Sequence, residues 1–105
     1  MKIDVLGAEY TLTVIRGSKE PRLKDCDGFC DETTKEMLVE NYEDSKGEPN
    51  CKQNLLVQTN KVKRHEIIHA FLFESGLAEN SNWAQNEEIE DFLAIQLPKL
   101  LKAFE

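Results

Sequence analysis

Positive charge, histidine and cysteine are all scarce in this chain of 105 residues, and it has no long apolar run. Only 13 Lys and Arg stand against 20 Asp and Glu, a formal charge of -7. Such a surface repels phosphate backbones and anionic lipid, which argues against nucleic-acid or membrane binding as the main task. No stretch approaches the roughly 18 apolar residues needed to span a bilayer. The opening Met1-Lys2-Ile3-Asp4-Val5 is too short and too polar for a signal peptide, so the expected location is the cytoplasm. Three cysteines, an odd number, suit reduced thiols better than a disulfide framework. There is no internal repeat and no low-complexity segment. A chain of this length has room for one core, and residues 1–105 read as a single domain.

Strands come first. Residues 2–6 and 9–16 alternate apolar and polar side chains (Ile3, Val5; Tyr10, Leu12, Val14), with Gly7-Ala8 between them, the pattern of a hairpin. Residues 17–33, rich in Gly, Pro, Asp and Lys, read as a loop. A third strand is expected at 35–40 and a polar connection at 41–53. The period then changes from two to about 3.6. A long helix is expected from about 52 to 75. Gly76 suits the left-handed position after it, and Leu77 is placed to pack back on Leu72. A second helix is expected from a cap at Asn82, with Gln85 at its third position, to about Gln96. Pro98 suits the first turn of a final short helix through Phe104. This order predicts an α+β fold: a small N-terminal antiparallel sheet packed on a long helix and one or two C-terminal helices. Trp83, Phe92 and Phe104 are expected in the core.

The chemistry concentrates in Arg64-His65-Glu66-Ile67-Ile68-His69. In a helix, positions i and i+4 share a face, so both imidazoles can reach one metal ion. With His65 at zero on the wheel, His69 falls at about 40° and Glu66 at about 100°. Glu66 therefore stands beside the metal face, where a base acting on water belongs. Ile67, Ile68, Phe71 and Leu72 form an apolar arc on the far side. Open zinc sites use three protein ligands, and the chain has no further histidine. The best third ligand is Glu87, eighteen residues beyond His69 in Asn86-Glu87-Glu88-Ile89-Glu90-Asp91. Asp91, one turn on, could accept the outer ring N–H of a ligating histidine and fix its orientation.

His-Glu-x-x-His followed by Asn-Glu-x-x-x-Asp resembles the gluzincin pattern of zinc peptidases. The wider stretch, Leu-Phe-Glu-Ser-Gly-Leu and Trp-Ala-Gln-Asn-Glu-Glu, is similar to small zincin-like proteins of phages and prophages. The match covers residues 61–105; before it there is only a loose Gly28-Phe29-Cys30-Asp31 turn. The resemblance implies one zinc ion on His65, His69 and Glu87, Glu66 as general base, and Asp91 as partner of His65. It also implies amide hydrolysis of a peptide or protein substrate in the cytoplasm of a bacterial or phage-infected cell. Gluzincin enzymes add a His, Tyr or Arg that stabilises the oxyanion, and here only Tyr10, Tyr42 and Arg64 offer themselves. No second lobe is present, so the cleft is shallow or a protein partner completes it.

Other readings of the same residues stand beside this one. The histidines could be a polar surface stripe, or they could hold a metal that only stabilises the fold, leaving a non-catalytic module that acts through a partner. Structural zinc, however, commonly has four closed ligands, often cysteine. Glu88 and Glu90 point about 100° and 300° away from Glu87 and are expected to be solvated; in a shifted register Glu88 becomes the next candidate ligand. Imidazole and carboxylate also suit Mn, Fe, Co and Ni. Cys26-x-x-x-Cys30 could be half of a second metal site if Asp25, Asp27 or Asp31 served, but ordinary thiols are the plainer account.

Overall fold

A computed structural model describes residues 1–105. Leu6 and Gly7 lie at φ 50° and 91°, the paired left-handed conformation that a two-residue hairpin turn requires. They fold β1 (Lys2–Val5) onto β2 (Ala8–Ile15), with Val5 opposite Ala8. The expected hairpin is present, its turn one residue earlier than the sequence suggested.

The segment expected to be a loop, 17–33, holds more structure. Two 3-10 turns (Gly17–Lys19 and Pro21–Leu23) carry the chain across, and β3 (Gly28–Asp31) follows where a turn was expected. The chain then reverses into β4 (Glu36–Glu40), the anticipated third strand. β4 lies between β2 and β3, giving the order β1-β2-β4-β3. It runs antiparallel to β3 but parallel to β2, so the α+β class stands while the sheet is mixed and not wholly antiparallel. The long crossover from β2 to the far edge is what turns that pair parallel.

Val5, Tyr10, Leu12, Met37 and Val39 form the buried face of the sheet, closed by Val62 and Ala70 of α1 (Leu55–Glu74). Asn54 starts that helix, its side chain accepting from the Val57 N–H at 3.1 Å, a cap worth about 1 kcal/mol. At the other end Gly76 takes φ 85° and its N–H donates to the Phe73 carbonyl at 3.0 Å. The Ser75 hydroxyl donates to the Leu72 carbonyl at 2.9 Å and accepts from the Leu77 N–H at 3.3 Å, standing where a direct Leu77–Leu72 backbone bond would close the motif. Leu77 is exposed and opens a four-residue helix, α2 (Leu77–Asn80).

The last helix differs most from expectation. α3 (Glu87–Phe104) starts at Asn86, whose side chain accepts from the Ile89 N–H at 2.9 Å, and not at Asn82. It also runs unbroken through Pro98. A proline at 98 has no N–H for the Ala94 carbonyl four residues back. Arg64 of α1 supplies the missing donor, its Nε 2.6 Å from that oxygen. One helix thus replaces the two expected. Trp83, Phe92 and Phe104 are exposed, not core. No helix is long and apolar enough to cross a membrane.

Candidate metal centre

Gln58, Lys61, His65, His69 and Phe73 follow one another at steps of three or four, one stripe along α1. The stripe faces a cleft of about 520 Å³. Residues 26–30, the edge strand β3 and the turn before it, form the opposite wall, and Glu87 and Asp91 enter from the first turns of α3. The cap at Asn86 therefore matters to the site: it fixes where α3 begins and so places Glu87 at the cleft.

His65 Nε2 lies 2.8 Å from Glu87 Oε2, and His69 Nε2 lies 3.2 Å from Glu87 Oε1. The other nitrogen of His65, Nδ1, is 3.3 Å from Asp91 Oδ1. Without a metal, His65 Nε2–H donates to Glu87 Oε2; a proton moved to Nδ1, facing Asp91, would free the Nε2 lone pair for a cation. These four residues were expected to meet, and the structure brings them together.

Glu90 was expected in solvent. It is instead fully buried, with Oε2 2.5 Å from His69 Nε2. That contact is short but misaligned, and neither carboxylate oxygen has a hydrogen-bond partner. An orphaned buried carboxylate is costly unless a proton or a cation joins it. Burial, followed by the charge of Glu87, pushes Glu90 up to about 7. Burial also holds His69 below its ordinary value, against the pull of Glu87.

His65, His69, Glu87 and Glu90 form a group that could hold a metal ion, their donor atoms all within 4.8 Å of one another. Ligand atoms set tetrahedrally about 2.0–2.1 Å from zinc are about 3.4 Å apart. The contacts of 2.8, 3.2 and 2.5 Å lie within an ångström of that spacing. The donor set and the orphaned oxygens both fit a cation.

Glu66 is not part of that group. It is buried between Val62 and β3, where the lack of a side chain on Gly28 makes room: a Cβ there would come 2.5 Å from Glu66 Oε2 and 2.9 Å from Val62 Cγ1. Burial first, then the charges of Glu87 and Glu90, push its carboxyl up to about 8. The same enclosure, aided by Glu66, raises the Cys30 thiol to about 12, so this is no reactive thiolate. All three cysteines are free, and Cys26 and Cys30 form no donor cluster with the neighbouring aspartates.

None of the three oxyanion candidates lines the cleft. Tyr10 donates its hydroxyl to Glu74 at 2.7 Å, Tyr42 accepts from Gln58 at 3.4 Å, and Arg64 holds the Ala94 carbonyl. Glu88 is exposed and outside the donor group. Lys61 does line the cleft, its Nζ 3.9 Å from Asp91 Oδ1. Its position one turn before His65 was the available signal, and sequence reasoning passed over it. No protein-family model, no curated protein and no solved structure matches this chain.

Proposed function

We propose that the protein is a zinc-dependent hydrolase, a metallopeptidase of narrow specificity that cleaves amide bonds in an extended peptide. One observation carries the reading: a converged donor set and a separate buried carboxylate, Glu66, share one solvent-open cleft. His65, His69 and Glu87 would hold the ion, and Glu90 stands close enough to be a fourth donor. A bound zinc ion would acidify a water and polarise a carbonyl. The charge of the ion would favour the ionised form of Glu66, which could then accept the proton from the attacking water and return it to the leaving nitrogen. Asp91 keeps the His65 ring in one tautomer and orientation through Nδ1. Lys61 offers its ammonium to the carbonyl oxygen as negative charge builds there. β3 has no strand on its outer side, so a peptide can lie along it as an added strand.

Burial of Glu90 beside His69 favours a second reading, in which four protein donors close the site and the metal only stabilises a module that binds a protein partner. Glu66→Gln separates the two. The variant is loaded with one equivalent of zinc and assayed on a quenched-fluorescence peptide library beside the wild type. Hydrolysis by wild type, lost by at least about a hundredfold in the variant with zinc content unchanged, supports the enzyme. Equal turnover in both rejects Glu66 as the base. No turnover in either, with zinc raising the melting temperature of both alike, favours the module.

A further inference from the structure

The outer face of α3 has a composition that solvent alone does not explain. With Glu88 at zero on the helical wheel, Phe92, Ile95, Lys99 and Lys102 fall at about 40°, 340°, 20° and 320°. The buried Glu90 and Ala94 fall at about 200° and 240°, on the side turned to α1. Phe92 is 60% exposed and Ile95 40% exposed at the centre of the outer stripe. Acid stands at one end of the stripe and base at the other, along a helix of 18 residues.

That arrangement is complementary to itself. Turn a second α3 end for end and set its Ile95 against Phe92: the same register brings its Lys99 against Glu88 and its Phe92 against Ile95. Lys102 then lies toward the acidic first turn of the other helix, and the two helix dipoles oppose favourably. A parallel pairing would set Glu88 against Glu88 and Lys99 against Lys99, which repel. A net charge of -7 opposes self-association, and the matched charges offset that repulsion at the contact. We propose that the outer face of α3 is a two-fold interface with a second copy of this chain, antiparallel and centred between Phe92 and Ile95. The same patch on both copies is what a two-fold axis demands. One helix per copy makes a small interface, so the dimer dissociates on dilution.

Charge reversal tests this directly by sedimentation equilibrium from low micromolar to several hundred micromolar protein. Wild type should rise from a monomer mass of 12.1 kDa toward twice that. Glu88→Lys and Lys99→Glu should each stay monomeric, because each sets like charges against each other. An equal mixture of the two should dimerise again, since both cross-contacts are then opposite in sign. Phe92→Ser, which changes no charge, should also stay monomeric, and circular dichroism identifies any variant that has lost its helices. A wild type that stays monomeric throughout, single variants that associate like wild type, or a mixture that fails to pair would each overturn the proposal. The experiment needs neither zinc nor activity, so its result is independent of the proposed hydrolase.

Discussion

Glu74 and Glu66 stand about two turns apart on α1 and meet opposite circumstances. Glu74 receives Lys35 Nζ at 2.6 Å and the Tyr10 hydroxyl at 2.7 Å, and the Lys35 contact, followed by that of Tyr10, holds its carboxyl below the ordinary range. Glu66 lies buried with Glu87 and Glu90 as its charged neighbours, and is raised. The chain supplies a cation at one end of the helix. Near the middle of the same helix it gathers Glu66, Glu87 and Asp91 around a cleft whose one ammonium, on Lys61, is 3.9 Å from Asp91, with Glu90 buried against His69. A carboxylate that already has its counter-charge is part of the scaffold. Carboxylates buried without one need a proton or an ion, and this need distinguishes the cleft from the rest of the molecule.

The largest break in that comparison should come from zinc. At about a hundredfold excess over its dissociation constant, an ion that binds only the folded state adds about 2.7 kcal/mol. For a domain of this size that raises the melting temperature by about 10 °C or more. His69→Ala should remove the rise, and thermal melts with and without zinc measure both. A wild-type melting temperature indifferent to zinc would refute the metal centre.

A smaller effect should follow pH in the metal-free protein. Glu66 and Glu90 hold their protons to about 8 and about 7 when folded, against an ordinary 4.5. Between those limits the folded state binds more protons than the unfolded, so stability falls as pH rises from about 4.5 to about 8. His69, held below 6.5, acts in the opposite sense, one group against two. The lowered carboxyls of Glu20, Asp31, Asp44 and Glu74 lose their contribution only as pH falls through the acid range below that window. Melts in chelator near pH 5 and near pH 8 should differ by several degrees, the acid side being the more stable, and Glu90→Met should flatten the slope. A melting temperature that climbs steadily over this range would count against the buried, unpaired state of both groups.

The smallest effect belongs to the matched end. Lys35→Met leaves Glu74 its bond from Tyr10 and frees it toward water, so the melting temperature should drop by no more than a few degrees. Zinc binding, read by titration calorimetry, should not change. A large loss of zinc affinity in that variant would mean the Glu74 and cleft regions of α1 are not separate.

The sequence was most readable where local rules act alone. The hairpin, β4, α1 and the shared face of His65 and His69 follow from alternation, helical spacing and capping, whereas Glu87 and Asp91 are reached by elimination and by the resemblance of Asn-Glu-x-x-x-Asp to the gluzincin pattern. β3 was missed because Gly28–Asp31 is four half-buried residues with no alternation, recognisable only once β4 lies beside it. The start of α3 was misplaced because Asn82 and Asn86 can both cap, and local chemistry does not choose between them. Glu90 was assigned to solvent because a wheel drawn on one helix does not show how deep the cleft between two helices runs. Pro98 reads locally as a helix start because its compensation comes from another element.

That compensation has a geometric effect. Only at Ala94 does the proline leave a main-chain oxygen of α3 open to a side chain from α1, and the residue that reaches it, Arg64, is the immediate neighbour of His65. The contact works as a detent: it favours one longitudinal setting of the helices, the one in which the acidic turn of one meets the imidazoles of the other. An interruption in mid-helix, a defect by propensity alone, thereby aligns the cleft.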